Sequence, residues 1–258
     1  MPLPYRLPMI GPFHRSSGRR SAEPDRRRAL PGEGDPTRLD AGRWRAALPE
    51  DTWPRDFPVD GEIWRRDVFA VAARWRVYRA TSRQLLTAVV MCSSGSAKQA
   101  RRKAARILAD DPHGHRLDIA LSRLRIDEPT MSDMRTAFLR LQNDCRLEHL
   151  ESDAVTRLLY FAGYRRGAPG VQPLMLDAEI AARIPPEAGV TTTANRGTSL
   201  EWIRWICWAA AQAGDEFEPE LVEMDLTAGG LRYGATPDGA GLGLPRQVSR
   251  RWIRTGGS

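Results

Sequence analysis

The stretch Ala154-Val-Thr-Arg-Leu-Leu-Tyr-Phe-Ala-Gly163, followed at short range by Pro173-Leu-Met-Leu-Asp-Ala-Glu-Ile-Ala-Ala-Arg183, decides how this chain folds. The first segment is apolar almost all round, which predicts a buried helix. Gly and Pro residues then break the chain into a turn, and a second, short helix is stopped by Pro185-Pro186. Asp177 stands directly before that helix, where first-turn amides and their dipoles would hold a carboxylate. Leu174, Met175 and Leu176 give it apolar surroundings.

Outward from this pair the pattern stays helical. Trp64, Val68, Ala72 and Trp75 recur at steps of about four, with Arg65, Arg66 and Arg76 on the other face. A buried helix follows from Arg83 to Cys92, then a cationic amphipathic one from Ala97 to Asp110 carrying Lys98, Arg101, Arg102, Lys103 and Arg106. Helices are expected near 116–126 and 131–145, the latter opened by a Thr130/Asp133 capping box. Thr198 and Glu201 form a second box for a helix reaching Ala213, where Gly214 stops it. A last short helix spans about Glu218 to Leu226. No long alternating pattern predicts a strand, so the class is all-α.

Three regions follow. Residues 1–40 hold seven prolines from Pro2 to Pro36 and the Arg26-Arg27-Arg28 run, with no sustained apolar period, and are read as a disordered basic arm. Residues 41–228 are the helical domain, with Leu48 to Pro58 as an extended lead-in that lays Trp53 and Phe57 on the core. Residues 229–258 form a glycine-rich, poorly ordered tail.

The net charge of +7 suits a polyanionic partner, and almost all the positive charge is Arg, since Lys98 and Lys103 are the only lysines. A coding bias toward Arg accounts for much of that preference, so the charge is weaker evidence than the motifs. Cys92, Cys145 and Cys207 are too far apart for a metal knuckle or a disulfide framework and are read as buried thiols. His113 and His115 lie in Asp-Asp-Pro-His-Gly-His, read as a turn rather than a metal site. No metal or cofactor is expected. No apolar run is long enough to span a bilayer, and a cytoplasmic monomer is the expectation.

The central pair of motifs resembles the base-excision DNA glycosylases of the helix-hairpin-helix superfamily, in particular the bacterial proteins with the 8-oxoguanine DNA glycosylase fold. In those proteins a Thr-Lys-Phe-Leu-Tyr-Phe-Ala segment precedes an apolar-Leu-Asp-x-x-Val-Ala segment by about twenty residues. Their counterparts here are Thr156-Arg157-Leu158-Leu159-Tyr160-Phe161-Ala162 and Leu174-Met175-Leu176-Asp177-Ala178-Glu179-Ile180-Ala181, and Pro219-Glu-Leu-Val-Glu-Met-Asp-Leu226 is similar to the family's Pro-x-x-Val-Glu-x-x-Leu ending. The resemblance implies a two-lobed helical fold that binds DNA and excises a damaged or modified base, with Asp177 as the catalytic carboxylate.

Two departures qualify what it implies. Arg157 occupies the position at which strand-nicking members carry a nucleophilic Lys; a guanidinium stays protonated and cannot form a Schiff base, so a monofunctional enzyme is expected. The hairpin of the superfamily offers glycine amides to phosphate, whereas Leu150-Glu-Ser-Asp-Ala-Val-Thr156 has no glycine and two acids. Lys98, Arg101, Arg102, Arg165 and Arg166 are the candidate DNA contacts, and Tyr160, Phe161 and Trp202, with Trp205, the candidate base pocket, although aromatic residues at helical spacing are more often core. A catalytically degenerate member of the same fold, binding DNA or a protein, is the alternative reading. A third is an unrelated Arg-rich helical interaction protein in which Thr156–Ala162 is an ordinary core helix.

Overall fold

A computed structural model describes residues 36–58, 61–94, 97–168, 170–190, 198–214 and 218–227. Nearly all of the arm and the whole of the 229–258 tail lie outside these residues. Among the described residues the chain is mostly helical, with ten α-helices and one small antiparallel ribbon.

The ribbon was not legible in the sequence. Thr37–Leu39 (β1), placed in the arm by composition, pairs with Gly61–Ile63 (β2) in the register Thr37↔Ile63, Arg38↔Glu62 and Leu39↔Gly61. It clips the chain ahead of the helices onto the domain, and Leu39 and Ile63 point into the core. Between the strands run α1 (Ala41–Arg45), which buries Trp44, and a single 3-10 turn at Glu50–Thr52 that interrupts the expected extended lead-in. Phe57 is buried there and Trp53 packs partly against the core.

The expected helices follow in order: α2 (Arg65–Arg76), α3 (Ser82–Ser94), α4 (Lys98–Asp110), α5 (His115–Leu121), α6 (Met131–Gln142) and α7 (Ser152–Gly163). The segment read as one helix near 116–126 is divided, with α5 passing into a 3-10 turn at Ser122–Arg125. The Asp-Asp-Pro-His-Gly-His segment is a turn, closed by the Gly114 N–H on the Asp111 carbonyl at 3.0 Å. The remaining helices are α8 (Ala178–Arg183), α9 (Ser199–Ala213) and α10 (Pro219–Thr227). Both capping boxes form as the sequence predicts: the Asp133 and Glu201 amides donate to the Thr130 and Thr198 hydroxyls at 3.2 Å, and each carboxylate accepts its N-cap amide in return.

Two groups of helices share one core. α2 to α7 pack on one another, α8 and α9 both pack on α10, and α9 closes against α6. Trp44, Trp75, Trp202, Trp205 and Tyr160 are among the largest side chains in a single continuous apolar cluster. The helix-poor segment between α7 and α8 lies where the two groups meet, and it carries Asp177.

Candidate active site

Residues 174–176 are buried but belong to no helix or strand, and an irregular segment inside a core leaves backbone groups that need partners. Side chains from three helices supply them. Trp202 Nε1 donates to the Leu174 carbonyl and Trp205 Nε1 to the Met175 carbonyl, both at 2.8 Å. The Met175 N–H donates to Glu223 Oε2 at 3.0 Å, and the Leu176 N–H to Thr156 Oγ1 at 3.0 Å. The Leu176 carbonyl lies 3.1 Å from the same hydroxyl. Every backbone polar group from the Leu174 carbonyl to the Leu176 carbonyl is thus held by α7, α9 or α10, so the next residue, Asp177, is presented from a rigid strap.

Asp177 is the N-cap of α8. Its Oδ1 accepts from the amides of Glu179 and Ile180, each at 3.0 Å. Its Oδ2 accepts from Arg157 Nη2 at 2.7 Å, so the structure brings together the two residues that the motif spacing singled out. Both side chains are about one-fifth exposed, 23% for Arg157 and 21% for Asp177, which leaves the pair reachable from solvent. Burial pushes the Asp177 carboxyl up, but the Ile180 amide, the Arg157 guanidinium and the Glu179 amide more than offset this and hold it below its ordinary value. The group is an anion at neutral pH. With the Arg157 guanidinium 2.7 Å away, the site is an ion pair with part of each side chain open to solvent.

The three aromatic residues read as a base pocket are enclosed instead. Tyr160, Phe161 and Trp202 are buried, because the apolar stripe they share with their helices is what the core consumes. Tyr160 and Phe161 pack edge-on against Phe69, at centroid distances of 5.3 and 5.0 Å. Trp202 stacks on Phe138 at 5.4 Å while its indole N–H holds the strap, and Trp205 shares that second task. As packed, none of these rings offers a face to a base.

The candidate DNA contacts divide in the same way. Lys98 and Arg102 are exposed on α4. Arg101 is buried. Arg165 turns inward and donates to four carbonyls, those of Ala162, Tyr164, Leu124 and Ile126, at 2.8 to 3.3 Å. Arg166 lies over the Phe69 ring at 5.0 Å and pairs with Glu220 at 3.3 Å. A charge count cannot separate these cases, since an Arg that closes a helix C-terminus looks the same in a sequence as one that meets phosphate.

Sequence reasoning missed a buried acid cluster behind the strap. Glu220 and Glu223, one helical turn apart on α10, face Arg65 of α2 at 3.5 and 3.2 Å, and Tyr160 donates its hydroxyl to Glu220. Burial pushes the Glu223 carboxyl up to about 7, despite Arg65 and the Met175 amide. The signal was present in the Pro219–Leu226 motif, where two glutamates three residues apart share one face of a helix that must be buried. Arg65, assigned to the solvent face by periodicity, is their counter-ion.

The region before α7 also departs from expectation. Of the Leu150–Thr156 segment read as the hairpin, Ser152–Thr156 forms the first turn of α7; the hairpin turn is instead the loop 143–151 between α6 and α7, where His149 takes a left-handed backbone conformation, φ 68, that glycine adopts without cost. The Glu148 N–H is already bound, donating to Asp110 Oδ2 at 2.7 Å. Two open grooves, of about 510 and 650 Å³, flank this hairpin. Neither is lined by Arg157 or Asp177.

The described residues form a mostly helical body that holds an acid at a helix N-terminus, ion-paired with an Arg of the helix before it. The family model described as "Putative 8-oxoguanine DNA glycosylase OGG-like protein" matches residues 32–226, and the chain belongs to that family. No curated protein and no solved structure matches it. Among the described residues no group of three or more His, Cys, Asp or Glu is placed to hold a metal ion, and no helix is long and apolar enough to cross a membrane.

Proposed function

We propose that the protein is a monofunctional DNA N-glycosylase, a hydrolase that releases a damaged or modified base in base excision and leaves the sugar–phosphate strand intact. The observation that carries this reading is the 2.7 Å contact between Arg157 and Asp177 at the edge of the strap, with the carboxyl held below its ordinary value. Breaking an N-glycosidic bond develops positive charge on the sugar. A fixed, ionised carboxylate stabilises that charge without reorganising and orients the water that adds to the sugar as the base departs. The target nucleotide has to leave the stack to reach it.

Arg157 sets the type of reaction. Its guanidinium cannot become the neutral amine that attacks the sugar, so water is the nucleophile and no covalent enzyme–DNA intermediate forms. As a permanent cation beside Asp177 it also favours the carboxylate form and offers donors to a phosphate flanking the extruded nucleotide.

A second reading, a degenerate member that binds without cleaving, is favoured by a specific observation. Both Asp177 oxygens are already satisfied, by two amides and one guanidinium, as in a structural N-cap. The experiment that separates the two is incubation with oligonucleotides bearing a panel of damaged or modified bases, followed by alkali to cut at any abasic site. Alkali-dependent cleavage that disappears in Asp177→Asn supports the enzyme. Binding with no cleavage of any substrate supports the degenerate reading.

A further inference from the structure

Three exposed cations stand in a row on α4. Lys98, Arg102 and Arg106 are spaced four residues apart, so their Cα atoms climb about 6 Å at each step along one face. Among the described residues none of the three has an ion-pair partner. They line the 510 Å³ groove whose opposite wall is the hairpin, through His149 and Glu151. The groove is locked at both ends of that wall: Lys103 pairs with Glu151 at 2.9 Å, and Asp110, the last residue of α4, accepts the Glu148 amide at 2.7 Å while pairing with Arg116 at 2.9 Å.

That lock changes what the hairpin can do. A hairpin that binds phosphate does so with free backbone amides, and the Glu148 amide is taken by an internal carboxylate. The outward side chains of Glu148 and Glu151 are 76% and 70% exposed, and a phosphate approaching the hairpin meets them first. The attractive wall is the one across the groove. Its exposed positions are polar or small, Gln99 and Ala109 among them, with no large apolar side chain to enter a bilayer.

We propose that in this protein the phosphate grip has moved from the hairpin amides to the side chains of α4, with Lys98, Arg102 and Arg106 meeting successive phosphodiesters of one nucleic-acid strand. The inference rests on the reading above in taking DNA as the ligand. It fits the geometry of the site, because Glu151 on the groove wall is the N-cap of α7 and Arg157 lies six residues along the same helix. A strand held on α4 is thereby placed at a fixed distance from Asp177. Arg side chains match phosphate with paired donors, and Lys adds a point charge.

The test is binding of a short labelled DNA duplex to the full chain across a salt series. The combined variant Lys98→Ala/Arg102→Ala/Arg106→Ala is expected to bind about tenfold more weakly or worse at low salt, with a log–log salt slope reduced by about 0.9 per lost contact, close to three in all. These side chains are exposed and carry no packing, and the single reversal Arg102→Glu provides an independent check with the same sign. His149→Gly, which suits the local backbone, is expected to leave the slope unchanged. Unaltered affinity and slope in both α4 variants would overturn the proposal, as would loss of binding on His149→Gly alone. Capture of the protein by vesicles of anionic phospholipid with no binding to DNA would overturn it in favour of a membrane face. Base release, assayed in parallel with Asp177→Asn, keeps the two readings apart. Binding that depends on α4 without base release from any substrate sinks the glycosylase and leaves the grip standing, whereas base release dependent on Asp177 with unaltered binding in the α4 variants does the reverse.

Discussion

Thr156 and Leu176, twenty residues apart in the chain, are joined through one hydroxyl: Thr156 Oγ1 accepts the Leu176 N–H at 3.0 Å and lies 3.1 Å from the Leu176 carbonyl. The same hydroxyl is 3.0 Å from the Asp153 carbonyl, so its single hydrogen is shared between two acceptors while its lone pairs hold the strap. Thr156 precedes Arg157 and Leu176 precedes Asp177. The contact therefore fixes the register of the ion pair, and it is the reason a Thr stands ahead of the cationic position.

Thr156→Val preserves shape and removes the hydroxyl, leaving the Leu176 N–H unpaired in a buried place. A loss of about 1 to 3 kcal/mol is expected, read as a lower denaturant midpoint at unchanged m-value. Thr156→Ser should recover most of it. Equal stability of the Val and wild-type proteins would show that the strap is held without this hydroxyl.

Gly163 makes a second demand on the same approach. A Cβ built there falls 2.9 Å from Pro173 Cγ and 3.7 Å from both Leu124 methyls. A proline ring cannot swing aside, so Gly163→Ala forces the end of α7 and the start of the strap apart. The expected cost is about 1 to 3 kcal/mol of stability, with weakened base release because Asp177 moves relative to Arg157. Tolerance of Ala at full stability would show that the segment yields at this point.

Glu223 should make stability depend on pH near neutrality. Its carboxyl is pushed from the ordinary 4.5 to about 7 by burial, against the pull of Arg65, and Glu220 beside it acts in the same upward direction. An acid whose folded-state value is raised holds its proton more tightly in the folded chain. Its contribution is therefore complete below about 4.5 and fades as pH rises toward 7. Glu223→Gln retains an acceptor for the Met175 amide and cannot titrate, so its unfolding free energy should fall less steeply across that window than that of the wild type. Parallel curves for the two proteins would mean that Glu223 stays ionised in the folded state beside Arg65.

The helices were legible because periodicity, capping boxes and Pro or Gly stops are local, and the pair Arg157 and Asp177 was legible because two motifs at a known spacing bracket it. What escaped depends on partners far along the chain. The β1–β2 ribbon comprises two strands of three residues each, too short for any alternation to register. Arg65 and Arg165 read as surface charges, since nothing local announces Glu223 or the four carbonyls that receive them. Tyr160, Phe161 and Trp202 illustrate the remaining ambiguity. An aromatic stripe marks a buried face, but whether helix, strap or ligand covers it is decided by tertiary packing.

The proposed reaction type rests on Arg157 and is open to direct test. Sodium borohydride traps a Schiff base between an enzyme amine and the sugar, and a guanidinium forms none. An active preparation is therefore expected to release base, leave abasic strands that break only in alkali, and yield no trapped complex. Asp177→Asn retains the N-cap geometry through its side-chain oxygen but removes the negative charge that offsets the developing cation, so base release should fall by orders of magnitude while DNA binding changes little. Arg157→Lys places an amine 20 residues upstream of the same carboxylate, on the helix that already reaches it at 2.7 Å. Close to so ionised an acid that amine stays largely protonated, so any gain in strand nicking is expected to be small and to grow at high pH. Borohydride trapping by the wild-type protein would refute the monofunctional assignment, and undiminished base release by Asp177→Asn would place the catalytic carboxylate elsewhere.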